Sequence, residues 1–258
     1  MNKTARRFAH VFACGIIAVS AAAAFQKQPK PKSQKEVDAI QAMFKATTAD
    51  AQIAAAENLL SNFSDTEFKS LALFMEADSY SRKNQFEKSV VFGERALEAD
   101  PQNYQAMLLL ARQYAAHTTE NDLDKEEKLN KATKYANDAV AMIAKAEKPN
   151  PAVTDAQWDA AKKDYNAQAH EAMGMIADVR KKYDVSATEY KTALDGMMTP
   201  DPATMVRYAI AQEHQGKFDE AIATLDKVIS DPNSQPVVKQ FATNEKTKAT
   251  NAKNAVKK

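Results

Sequence analysis

From Glu36 onward, apolar residues recur at three- and four-residue spacing almost without interruption. EVDAIQAMFKAT (36–47) and ADAQIAAAENLLSNF (49–63) each place their large apolar side chains along one stripe of a helix. Ser64 and Glu67 have the spacing of a capping box, which predicts a new helix starting just before Phe68. A helix opening at Phe86 is closed by Asp100-Pro101, and another follows over 104–117. The polar insertion TTENDLDKEEK leads into one ending near Ala146, after which Pro149 and Pro151 punctuate the chain. A second box at Thr154 and Gln157 opens a long helix to about Lys181. Shorter helices follow over 185–197, 203–215 and 219–230, with a last one after Pro236. The reading is eleven helices joined mostly by short turns, and no strand.

Two stretches carry nearly the same pattern. QFEKSVVFGERALEADPQN (85–103) and KFDEAIATLDKVISDPN (217–233) share an aromatic, an acid, a small residue three places after the aromatic, and a closing Asp-Pro. Helix pairs recurring about every 34 residues call for a repeat register, and setting Pro101 at the end of a unit makes Ser70 its first residue. Unit 70–103 then has Ala77, Tyr80, Phe86, Ser89, Ala96 and Pro101; unit 202–235 has Ala209, Gly216, Phe218, Ala221, Leu225 and an early Pro232. Unit 167–201 has Gly174, Tyr183, Ser186, Tyr190 and Ala193. Unit 104–146 starts with Leu110, Ala111 and Tyr114, takes an insertion, and resumes at Ala132, Ala136 and Ala139. Residues 36–69 form a degenerate first hairpin marked by Ala55 and Leu59.

On these positions the chain resembles the tetratricopeptide repeat (TPR) family. The family's leading tryptophan is absent, its place taken by Leu73, Met107, His170 and Met205. The resemblance implies an all-α fold: a right-handed α-solenoid of TPR-like hairpins over 36–249, with a C-terminal capping helix and a basic tail, 250–258, expected to fray. Small residues let helix backbones approach, and each hairpin buries its apolar face on the next. Family members bind an extended peptide or partner helix on the surface lined by first helices. That places Phe74, Asp78, Leu108, Arg112, Glu171 and Met175 on the expected partner-binding surface. The Lys and Asn clamp by which some members hold a C-terminal carboxylate is replaced here by Phe74, Asp78 and Arg112. The insertions at 117–131 and 144–166 depart from a generic array, and residues 121–128 offer a second candidate surface.

The first 24 residues read differently. Lys3, Arg6 and Arg7 precede the apolar run VFACGIIAVSAAAA, and Ala22 and Ala24 offer a small-residue cleavage site. This is the layout of a secretory signal peptide, followed by a polar, proline-spaced linker over 25–35. Residues 8–25 approach span length, so an uncleaved anchor is the alternative, and VFAC bears only a faint likeness to a lipidation box. Loss of the leader removes Cys14, the one cysteine, and turns the formal charge of +1 slightly negative. A near-neutral chain without a basic patch argues against nucleic acid as partner.

Composition leaves little for catalysis. Five glycines and no phosphate loop or nucleophile elbow give no enzyme signature. His117, His170 and His214 are too scattered for a metal motif, and an active site around Trp158 and His170 finds no acid, base and nucleophile at recognisable spacing. Met173, Met175, Met197, Met198 and Met205 read as core packing and not as a soft-metal site. Asp219-Glu220 and Glu126-Glu127 stand at helix N-termini, where the macrodipole favours them. The expectation is a non-enzymatic protein without metal or cofactor, exported to the periplasm or envelope, which binds a peptide or protein partner. An envelope assembly or secretion component held by its N-terminal helix or a lipid is the alternative, with membrane contact through that segment only. The sequence does not define an oligomeric state.

Overall fold

Helical periodicity without strand signals produces an all-helical chain. The computed structural model describes residues 29–256, which form eleven helices and no strand. The leader, Cys14 and the anchor alternative fall outside the described residues. The helices are α1 (Gln34–Lys45), α2 (Ala49–Asn62), α3 (Lys69–Arg82), α4 (Phe86–Ala99), α5 (Tyr104–Ala116) and α6 (Lys125–Lys145). They continue as α7 (Asp155–Val179), α8 (Tyr183–Gly196), α9 (Pro202–His214), α10 (Phe218–Ser230) and α11 (Pro236–Val256). Two compact units divide them: α1–α4 with residues 149–154, and α5–α11. Within each unit, helices consecutive in the chain pack on one another, as in a solenoid of helical hairpins.

In the first unit, α1, α2 and α3 close over Ala39, Met43, Ala56, Leu59, Ala72 and Met75, with Phe63, Phe68 and Phe74 packed at the edge. The α3–α4 hairpin is drawn together by small residues. Buried Ser89 donates to the Ala77 carbonyl at 2.9 Å, and Ser70 to the Ala96 carbonyl at 2.8 Å. The capping box lies earlier than Ser64. Ser33 Oγ accepts from the Glu36 amide at 3.2 Å, and the buried Glu36 carboxylate accepts from the Lys32 amide and the Thr66 hydroxyl, both at 2.6 Å. The Thr66 hydroxyl also accepts from the Phe68 amide at 3.2 Å, and α3 starts behind Phe68 with no side-chain cap. The end of the polar linker is also tied down, with the Lys30 amide on Glu67 at 2.9 Å and Lys32 on Asp65 at 2.6 Å.

Three hairpins share one turn. Asn84, Lys181 and Gly216 occupy the left-handed region with φ of 56°, 58° and 75°. In each case the next amide reaches back across the turn to a carbonyl near the helix end: Gln85 to Tyr80 at 2.9 Å, Lys182 to Ala177 at 2.9 Å and Lys217 to Gln212 at 3.0 Å. This is the Schellman closure of a helix C-terminus, and it sets the re-entry of the second helix. All three residues stand at the same place in the repeat register, although only Gly216 announces itself by type.

In the second unit, Asn103 caps α5 through the Ala106 amide at 3.0 Å, and Asp201 caps α9 through Thr204 at 3.0 Å with Pro202 at the first helical position. The α7–α8 hairpin has the tightest approach. A Cβ on Gly174 would lie 2.6 Å from ring carbons of the fully buried Tyr190, inside the limit of real contacts. Gly174→Ala is therefore expected to destabilise this unit by about 1–3 kcal/mol, measured as a lower urea midpoint by circular dichroism. Val206, Ala209, Ala221, Leu225, Val228 and Ala242 form the core of α9, α10 and α11.

The basic C-terminal stretch continues α11 to Val256 where fraying was expected. Ala249 is fully buried, and Lys253 pairs with Asp219. As expected, α11 ends the array by packing on α10 and α9. The insertion before α6 is a tied turn: Thr119 Oγ1 donates to Asp122 at 2.5 Å, and Lys128 Nζ reaches Asp122 at 3.3 Å and Asp124 at 2.9 Å.

Candidate interaction surface

The candidate residues lie on first helices of the hairpins, α3, α5 and α7. In the first unit that helix is α3. Phe74 is half-buried at the edge of the core, and Asp78, one turn further, pairs with Arg82 at 3.0 Å. Gln52 of α2 completes the row, accepting from the Ser79 hydroxyl at 2.8 Å and from Arg82. An aromatic edge thus stands beside a fixed line of charge and amide.

In the second unit Arg112 is exposed on α5, whereas Leu108, on the same helix, is buried at 4 % exposure. Met175 and Glu171 of α7 are also buried, each at 6 %. Glu171 is engaged internally: its Oε1 accepts from the Thr204 hydroxyl at 3.0 Å and from Arg207 Nη1 at 3.1 Å, both on α9. Leu108, Glu171 and Met175 therefore hold this unit together and offer no accessible surface. Their first-helix register was read as exposure, but neighbouring first helices lie close enough to cover them.

Arg207 escaped the sequence reading. It is half-exposed, and nothing in the local pattern pairs it with a carboxylate 36 residues earlier. Further along the same helices, burial pushes the Asp178 carboxyl up, against hydrogen bonds donated by Ser186 and by Tyr190 at 2.7 Å. His214 stacks on Tyr183 with centroids 3.9 Å apart and planes 8° from parallel. Burial, with Glu245 nearby, also raises the Glu213 carboxyl.

Among the described residues, His117, His170 and His214 go to separate partners. His117 Nδ1 lies 3.0 Å from the Gln113 carbonyl, His170 Nδ1 lies 2.6 Å from Glu189, and His214 takes the stack just described. Among the described residues no group of three or more His, Cys, Asp or Glu is placed to hold a metal ion. No described helix is long and apolar enough to cross a membrane.

Two-helix hairpins that pack on one another through small contact residues and share one turn define the helical-repeat class of fold. The comparisons agree with that class. Residues 203–234 match the tetratricopeptide repeat family model, over the unit that the repeat register sets at 202–235. No curated protein matches the chain. Among solved structures, the chain is similar to the crystal structure of TTC0263, a thermophilic TPR protein in Thermus thermophilus. The identity is 15 %, the alignment covers 82 % of this chain and 97 % of that one, and the TM-score is 0.56. The protein has the tetratricopeptide-repeat fold, with one repeat recognisable in sequence as a member of that family.

Proposed function

We propose that this protein is a non-enzymatic scaffold of the cell envelope that holds a peptide or partner protein against the first helices of its hairpins. One observation carries the reading: the half-buried Phe74 ring beside the Asp78–Arg82–Gln52 row on α2 and α3. Interaction surfaces concentrate their energy in such an aromatic or arginine anchor flanked by polar groups that fix register. Arg112 supplies a second exposed anchor in the other unit. The signal-like leader supports export.

Photo-crosslinking in the envelope fraction tests the surface. A crosslinker at Phe74 or Arg112 is expected to capture a discrete protein partner. The same group at Val91, exposed at 52 % on α4, serves as control. Equal capture at all three positions would remove Phe74 and Arg112 as anchors. The apolar run before residue 25 favours a second reading, an assembly or secretion component anchored by that segment. Intact mass separates the two: loss of residues 1–24 supports export with cleavage, and a full-length chain in the membrane pellet supports the anchor.

A further inference from the structure

Glu76 stands where the repeat register calls for a large apolar residue. Its counterparts in units 104–146, 167–201 and 202–235 are Leu110, Met173 and Tyr208. The side chain is buried at 1 % exposure, and neither carboxylate oxygen has a hydrogen-bond partner among the described residues. A buried acid in that state is tolerated when neutral and strongly disfavoured when charged, because ionisation leaves a charge without solvent or a bonded cation. The helices packed on α3 are α2 and α4, and the charged groups facing Glu76 from them are Glu57 and Arg95. Glu57 opposes ionisation. Arg95 favours it but lies over the Phe92 ring at 4.9 Å with no hydrogen bond to the Glu76 oxygens. On its own helix the neighbour is Tyr80, whose ring stacks on Phe92 at 5.2 Å and lies under Lys88.

We propose that Glu76 makes the α3–α4 hairpin a proton-operated element, closed while the carboxyl is protonated and opened locally when the proton leaves to solvent. Opening hydrates the carboxylate and separates the Tyr80–Phe92 stack, uncovering an aromatic surface. Burial, and then Glu57, push the carboxyl up to about 7, with Arg95 acting against them. The sign follows from linkage. A raised folded-state value means that closure is most favoured below the ordinary glutamate range, weakens as pH rises through about 7, and then levels off. The hairpin therefore responds across the interval between weakly acidic and neutral surroundings. Its opening constant is expected to rise on the order of 50–100-fold between pH 5 and pH 8.

Hydrogen exchange on the full chain tests this, with intrinsic rates corrected at each pH and α5–α6 serving as the internal reference. Protection of α3–α4 is expected to fall by about that factor relative to the reference in the wild type. Glu76→Leu should abolish the fall. Glu76→Gln provides a second check, since it reproduces the protonated form in shape and charge and cannot be less tolerated than the ionised wild type. A flat wild-type profile overturns the inference without recourse to either variant. So does a pH dependence that survives both substitutions, or a loss of protection shared equally by α5–α6.

Discussion

Tyr190→Ala is expected to lower the stability of the second unit by about 3–5 kcal/mol, the largest loss for any single substitution considered. Two effects coincide at this residue. The ring is fully buried and fills the space that Gly174 leaves open, so its removal creates a cavity between α7 and α8. Its hydroxyl donates to Asp178 at 2.7 Å, so truncation takes one of two side-chain donors, Tyr190 and Ser186, from a half-buried carboxyl. Tyr190→Phe separates the contributions, since it keeps the packing and is expected to cost about 1–3 kcal/mol. Urea unfolding of each variant, followed by circular dichroism, gives the comparison. A double substitution with Gly174→Ala should cost less than the sum of the two singles, because the new methyl group then enters the vacated space. Strict additivity would mean that the contact is not what sets this hairpin's spacing.

Leu225→Ala ranks next, with an expected loss of about 2–5 kcal/mol. Leu225 is buried at 1 % exposure among Val206, Ala209, Ala221, Val228 and Ala242, inside the repeat that matches the family model. The aromatic residues at the start of second helices invite a larger prediction from sequence, but Phe86 and Phe218 are only half-buried. Removing a ring already partly in water forfeits less transfer free energy, so Phe218→Ala is expected to cost about 1–2 kcal/mol. Thermal melts of the two variants test the ranking. If Phe218→Ala fell further than Leu225→Ala, the ring and not the aliphatic core would be the main joint of this repeat.

Helix number and nearly every boundary were legible because they depend on local quantities. Apolar spacing, prolines and short polar turns act within a few residues, and the structure follows them from α1 to α11. The small contact positions were legible for a related reason. Ala77, Ser89, Gly174 and Ala221 recur in a register that can be found by comparing the chain with itself. That register also contained the left-handed turn residues, since Asn84 and Lys181 align with Gly216. One local signal misled. Ser64–Glu67 and Ser33–Glu36 have the same capping spacing, and of the two Ser33 caps a helix, whereas α3 starts behind Phe68 without a side-chain cap.

Exposure at the candidate positions was legible only in part. Phe74, Asp78 and Arg112 keep exposed area, whereas Leu108, Glu171 and Met175 occupy equivalent first-helix positions and are covered. Register fixes which helix a residue belongs to and which way it faces. Exposure depends in addition on how closely the next helix approaches, and that distance is set by side chains far along the chain. Arg207 and Thr204 close over Glu171 from more than thirty positions away, and Lys253 of the basic tail pairs with Asp219. No neighbour in sequence records those pairings.

The sequence by itself therefore determined an all-helical chain of repeated hairpins, since periodicity and small-residue spacing are properties of contiguous residues. Tertiary structure alone decided which of the equivalent positions reach solvent, which carboxylates find partners, and that Glu76 finds none. Burial and pairing are sums over helices brought together from distant parts of the chain, and their electrostatic consequences exist only once those helices have met.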